Sequence, residues 1–140
     1  MLYNSIIVLV YRYKGEYYMK TVKIGLLGIG NVGSGAFQIF SLNSASIAKA
    51  SGCEITVSGV LARNKNKKRD IDINPEIITD DPDEIIKNPE IDIVVEALGG
   101  IEPATTFMLS AMKNGKHVVT ANKAAIAANY DKLTEAAAEN

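Results

Sequence analysis

Apolar and polar positions alternate with a period that changes repeatedly along the chain, and those changes divide it into strands and helices. Val22–Leu27 is an apolar run of strand length. It breaks into glycines at Gly28, Gly30 and Gly33. Asn31–Phe40 then places Val32, Ala36, Ile39 and Phe40 at helical spacing. A second short helix is predicted over Asn43–Ser51, ended by Gly52. Glu54–Arg63 follows as a strand rich in β-branched residues, among them Ile55, Thr56, Val57 and Val60. Asp70–Pro75 reads as loop and Glu76–Thr79 as a short third strand. At Asp81-Pro82 a capping side chain precedes a proline at the first helical position, predicting a helix over Asp83–Lys87 that stops before Asn88-Pro89. Ile91–Leu98 is nearly continuously apolar, the pattern of a parallel strand buried on both faces. Pro103–Asn114 is an amphipathic helix with Ala104, Phe107, Met108, Ala111 and Met112 on one stripe and Gly115 closing it. His117–Thr120 is the fifth strand, and helices over Ala124–Asn129 and Asp131–Glu139 complete the pattern. The alternation predicts an α/β fold, a doubly wound parallel sheet of five strands in the order 3-2-1-4-5 counted from Val22.

The length of 140 residues suits one domain with a real core and not two. Fifteen Lys and Arg balance sixteen Asp and Glu, so no nucleic-acid partner is expected. No apolar run approaches the length that spans a bilayer, so no membrane partner is expected either. The single cysteine, Cys53, has no internal disulfide partner; it reads as a small apolar filler near a strand start, and a cytoplasmic location is the default.

Residues 1–20 depart from this composition. Ser5–Tyr11 is apolar and β-prone, whereas Arg12–Met19 mixes charge with three tyrosines, and neither forms a secretory signal. A hairpin or an added edge strand is one reading. The preferred reading is a translated leader over residues 1–18, because Met19-Lys-Thr-Val-Lys-Ile is a natural domain start and codons for Lys14-Gly15-Glu16 can resemble a ribosome-binding site. The folded domain is then expected over residues 19–140.

The candidate chemistry gathers at the strand ends. Val22–Gly35 reads Val-Lys-Ile-Gly-Leu-Leu-Gly-Ile-Gly-Asn-Val-Gly-Ser-Gly, a G-x-G-x-x-G spacing at a strand-to-helix junction. Gly28 permits the turn, Gly30 keeps side chains away from a pyrophosphate, and Gly33 lets the helix pack on the sheet. The helix start offers unpaired N–H groups and the positive end of its dipole. A plain structural turn, or a site for another nucleotide-type ligand, is the alternative. At the end of the second strand stands Arg63 and no carboxylate, which favours the extra phosphate of NADP over the ribose hydroxyls of NAD, with NAD still possible. The following Lys65, Lys67, Lys68 and Arg69 read as a solvated loop. Glu96 is either a partnered buried carboxylate or a residue lining the cleft. His117 lies at the incoming end of its strand and reads as surface or structural, and Met108 and Met112 of the amphipathic helix read as core. Lys123 stands at the mouth of the cleft or, alternatively, is a solvated first-turn residue of a helix capped by Asn122. Gly28–Gly33, Arg63, Ala97–Gly100 and Thr120–Lys123 all fall at the carboxyl edge of the sheet, where such folds bind ligands.

Three segments resemble the homoserine dehydrogenase family. These are Lys23-Ile-Gly-Leu-Leu-Gly-Ile-Gly-Asn-Val-Gly-Ser-Gly, Val94-Val-Glu-Ala-Leu-Gly-Gly-Ile-Glu-Pro-Ala and Gly115-Lys-His-Val-Val-Thr-Ala-Asn-Lys-Ala. The similarity covers about residues 20–140. It implies the Rossmann-type cofactor domain of an oxidoreductase that interconverts homoserine and aspartate 4-semialdehyde on the route to threonine and methionine. It further implies cofactor contacts at Gly28, Ile29, Gly30, Asn31, Val32, Gly33, Arg63, Leu98, Thr120 and Lys123, with Lys123 also meeting the substrate. No metal is implied. Against the family pattern, the chain is expected to stop before a sixth strand and the substrate and dimer-forming region. It is therefore expected to bind a dinucleotide without turnover, and to form a homo-oligomer only when the missing region is present. The alternatives are a non-catalytic NAD(P)-binding module and a reductase of the same fold acting on another small aldehyde or imine. A methyltransferase is disfavoured by the absence of an acidic residue after the second strand.

Overall fold

The computed structural model describes residues 10–13 and 16–140. Residues 1–9, 14 and 15 of the expected leader lie outside the described residues. The remainder of that stretch forms β1 (Val10–Tyr13) and the beginning of β2 (Glu16–Leu27), paired antiparallel from Val10 opposite Met19 to Tyr13 opposite Glu16. Parallel pairing begins at the next residue, Lys20, which lies opposite Cys53.

Five strands run parallel in the order β4-β3-β2-β5-β6, where β3 is Cys53–Leu61, β4 is Ile78–Thr79, β5 is Ile93–Glu96 and β6 is His117–Thr120. Counted from the glycine-terminated strand, this is the expected 3-2-1-4-5 sheet. Helix α1 (Asn31–Leu42) and helix α2 (Ser44–Ser51) connect β2 to β3, and α3 (Asp83–Ile86) connects β4 to β5. Helix α4 (Ala104–Lys113) leads from β5 to β6, and α5 (Lys123–Ala128) and α6 (Tyr130–Glu139) follow.

Successive residues of a strand face opposite sides of the sheet, and the core divides accordingly. Leu26 packs with Phe37 of α1 and Val60 on one face. Its neighbour Leu27 packs on the other face with Leu61, Ile85 and Ile86 of α3, Val94, and Ala111 of α4. A third cluster, Met108, Ala125 and Leu133, docks α5 and α6 onto α4.

Two expectations need correction. The apolar stripe read for α1 is rotated: Val32 and Ile39 are 64% and 57% exposed, and the buried residues are Gly33 and Phe37. Gly33, without a side chain, makes the closest approach to the sheet, so the position one turn later, Phe37, turns inward with it. The third strand is also shorter than expected. Pro75–Ile77 is a turn of 3-10 helix, because the Asn74 side chain accepts from Glu76 N at 3.0 Å with proline at the first position, and only Ile78–Thr79 pair with β3.

Lys116 is a buried cation, 6% exposed, immediately before β6. Its Nζ donates to the carbonyls of Ile91, at 2.8 Å, and Asn88, fastening the loop before β5 to the turn before β6. Burial pushes its pKa below the ordinary lysine value, and Asp92 nearby opposes that shift. Lys116→Met keeps the aliphatic stem and removes both bonds. It is expected to lower unfolding stability by about 1–3 kcal/mol, chiefly the cost of leaving the buried Ile91 carbonyl without this donor, since Asn88 O also accepts from Ile91 N at 3.2 Å. A urea titration checks this, and an unchanged midpoint would show that these carbonyls find other donors.

A two-lobed cleft at the carboxyl edge of the sheet

The chain leaves β2 through a turn whose geometry forbids side chains at two places. Gly28 has φ +103°, and a Cβ there would stand 2.8 Å from the Ala97 carbonyl oxygen. A Cβ on Gly33 would lie 2.0 Å from the Gly28 carbonyl oxygen, inside contact distance of backbone that has no freedom to withdraw. Helix α1 therefore begins directly on the strand exit. Gly28 N donates to Leu61 O at 3.2 Å, and Ser34 Oγ closes the turn by donating to Ile29 O at 3.2 Å.

Gly30 differs from its neighbours, since a Cβ there would meet nothing within 4 Å. It is the N-cap of α1, and the first helical bond runs from Ser34 N to Gly30 O at 2.8 Å. Among the described residues no side chain caps this helix, and no acidic residue stands in its first turn. The early N–H groups and the positive end of the helix dipole are thus left to whatever enters the cleft.

The cleft has two lobes that share Gly30, Ala97 and Leu98. One, of about 550 Å³, is bounded by Asn31 and Val32, by Glu96 and Gly99, and by Ala121–Lys123. The other, of about 380 Å³, is bounded by Gly28 and Ile29, by Leu61–Asn64, and by Lys67 and Arg69. The expected contacts divide between them. Gly28, Ile29 and Arg63 belong to the basic lobe, Asn31, Val32 and Lys123 to the larger one, and Gly30 and Leu98 to both. Gly33 and Thr120 stand behind the walls and shape them.

In the basic lobe the charges have different duties. Arg69 donates to the carbonyls of Asn64 and Lys67, each at 2.8 Å, and to Lys65 O at 3.3 Å, which folds the loop. Lys65 pairs with Asp80 at 3.2 Å. Among the described residues no hydrogen bond or ion pair engages the side chains of Arg63 or Lys67, and both line the lobe. Lys67 was not separated from its neighbours by sequence reasoning, because a basic run carries no sign of which member a loop will turn inward.

Glu96 satisfies both readings made of it. It is 2% exposed, borders the larger lobe, accepts from Leu98 N at 2.7 Å, and accepts from Thr120 Oγ1 at 2.5 Å. Asn122 caps α5 by accepting from Ala125 N at 3.0 Å, and its amide also donates to Gly100 O at 2.6 Å. Sequence reasoning found the cap and missed the second bond, whose partner lies 22 residues away. Lys123 is exposed, begins α5 and borders the larger lobe, so its two readings coexist. His117 is exposed at the incoming end of β6, remote from these loops in its own strand.

Residues 28–140 match the family model of the homoserine dehydrogenase NAD-binding domain. The homoserine dehydrogenase of Bacillus subtilis is 37% identical over 122 residues, which are 87% of this chain and 28% of the relative. That of Pseudomonas aeruginosa is 45% identical over 121 residues, covering 86% and 27%. The crystal structure of S. aureus homoserine dehydrogenase at pH 8.5 superposes with a TM-score of 0.81 at 40% identity, covering 87% of this chain and 31% of that one. The chain thus spans less than a third of the length of each of these relatives. A matching family model over most of the chain, a shared Rossmann-type sheet and a glycine turn opening onto a two-lobed cleft lead to one conclusion: this chain belongs to the homoserine dehydrogenase family, of which it spans the NAD-binding part.

Proposed function

We propose that the chain holds NADP(H) extended across the two lobes, as the cofactor-binding portion of an enzyme that interconverts homoserine and aspartate 4-semialdehyde. The observation that carries this reading is the waist at Gly30. There, open space, uncapped helical N–H groups and the meeting of two lobes coincide, which is what a pyrophosphate between two nucleoside halves requires.

In folds of this class the adenosine ribose lies at the end of the second strand of the sheet. That position is Leu61–Asn64, so the basic lobe takes the adenosine half, and Arg63 with Lys67 supplies the charge for a ribose phosphate. The absence of a carboxylate there supports NADP over NAD. The larger lobe is left for the nicotinamide half, with Leu98 beside the ring and the Lys123 ammonium able to meet the carboxamide or a substrate carboxylate. When bound, the nicotinamide supplies the hydride chemistry, while the protein supplies position and electrostatics.

In the complete enzyme this activity serves threonine and methionine formation in the cytoplasm, with homoserine or aspartate 4-semialdehyde as the small-molecule partner. The curated relatives carry nearly three-quarters of their length outside the matched region. Residues 1–140 by themselves are therefore expected to show no homoserine-dependent reduction of NADP in a spectrophotometric assay, and measurable turnover would overturn that expectation.

Titration with NADPH and NADH, followed by nicotinamide fluorescence, tests cofactor choice. Arg63→Ala is expected to weaken NADPH at least about tenfold, on the order of 1.4 kcal/mol, and to leave NADH within about twofold. Equal binding of both cofactors by both proteins would remove the phosphate argument.

The turn itself is tested by Gly33→Ala. The added methyl meets a backbone carbonyl at 2.0 Å, so α1 must move off the strand exit. Loss of dinucleotide binding together with a stability drop of about 1–3 kcal/mol is expected, read by the same titration and by thermal unfolding. A variant that binds and melts like the parent would show that the helix tolerates displacement.

A further inference from the structure

The loops that follow β5 and β6 are joined by a polar circuit that sequence motifs do not reveal. Its centre is Glu96, the last residue of β5, which is buried yet carries no ion pair among the described residues. One carboxylate oxygen accepts from Leu98 N at 2.7 Å and from Gly99 N at 3.4 Å. The other accepts from Thr120 Oγ1 at 2.5 Å, at the end of β6. Thr120 Oγ1 in turn accepts from Asn122 N at 2.9 Å. The Asn122 amide returns to the first loop by donating to Gly100 O at 2.6 Å, and its own oxygen holds the start of α5 through Ala125 N at 3.0 Å. Two loops, one strand end and one helix start are thereby fixed relative to each other.

We infer that Glu96 and Asn122 are positioning residues that set the Leu98–Gly99 backbone against Lys123, and so shape the lobe that receives the nicotinamide half of the cofactor. The inference rests on the cofactor placement proposed above. Physically, the two loops belong to neighbouring strands whose ladder ends at Glu96 opposite Thr120, so beyond that pair the sheet no longer dictates their separation. Side-chain bonds take over that task. Charge-assisted bonds from a buried carboxylate to backbone N–H groups are among the stronger ones available for it. A carboxylate facing inward, with its oxygens occupied by loop donors, also keeps Leu98 N and Gly99 N from competing for ligand atoms. Lys123 then follows from the Asn122 cap, since the capping residue and the lysine are adjacent in the chain.

Glu96, Gly99 and Asn122 line the larger lobe alone, and of the circuit only Leu98 also borders the basic one, which gives the test its selectivity. Residues 1–140 and the variants Glu96→Ala, Glu96→Gln and Asn122→Ala are titrated by calorimetry with two ligands. One is NADPH; the other is adenosine 2',5'-bisphosphate, which carries the adenosine half and no nicotinamide. Glu96→Ala and Asn122→Ala are each expected to weaken NADPH about tenfold while leaving the bisphosphate within about twofold. Glu96→Gln is expected to stay within about threefold of the parent for both, because its amide can accept from Leu98 N and donate to Thr120 Oγ1. Equal weakening of both ligands would assign the residues a general structural role and overturn the inference. Unchanged NADPH binding in Glu96→Ala and Asn122→Ala would overturn it too, with the cofactor reading intact. Failure of the parent chain to bind either ligand would overturn that reading, and the inference with it. Should Glu96→Ala not fold, Asn122→Ala, altering the less buried side of the circuit, decides the matter.

Discussion

The contact between Gly33 and the Gly28 carbonyl oxygen governs the rest of the molecule. With an imagined Cβ only 2.0 Å from that oxygen, it is a place where backbone packs on backbone. Everything near it follows. Helix α1 starts at the strand exit and not further out, its inward face is fixed at Gly33 and Phe37, and its first N–H groups sit at the waist of the cleft. A protein that relaxed this contact by an ångström or two would keep its sheet while loosening Phe37 against Leu26 and Val60. It would lose the alignment between helix start and strand end on which anion recognition depends.

Around that rigid point, the cleft is held by two different kinds of force. Beneath it, Leu26 and Leu27 bury opposite faces of the central strand against separate helix layers, and the packing is apolar and non-directional. Above it, the loops beyond the strand ends still pack Leu98, Ile71 and Ile73 against the core, but their conformations are tied by directed bonds. Arg69 gathers the loop after β3 through three carbonyls, and Glu96 with Asn122 joins the loops after β5 and β6. Such a division suits a binding site on a Rossmann-type sheet, since bonds fix loops in specific conformations where burial alone would leave several of equal energy.

The same division explains what was legible in the sequence. The strands, their order and most helix limits follow from periodicity and punctuation, because the apolar pattern that buries them is local in the chain. His117–Thr120 was delimited to the residue. The glycine turn was equally plain, as its spacing encodes its geometry. Where local rules met a distant constraint, the reading failed. Val32 and Ile39 have helical spacing and look like an inward stripe, yet the approach of Gly33 to β2 rotates the helix so that they face outward. Glu76–Thr79 reads as a strand, but Glu76 and Ile77 follow the Asn74 side chain into a turn of 3-10 helix. Lys67 and the second bond of Asn122 depend on loops that bring together residues far apart in sequence, for which no pattern in one chain is a guide.

The two margins of the sheet have unlike exposure. β4 contributes two residues, too short a rim to recruit another strand. β6 contributes four, pairs among the described residues with β5 alone, and holds Val119 55% open to solvent. No lysine, proline or bulge interrupts His117–Thr120, the devices by which natural sheets blunt such a rim. Such a rim, its outer backbone donors and acceptors facing away from the sheet, is a ready template for one more strand laid alongside it, a few residues from the mouth of the cleft.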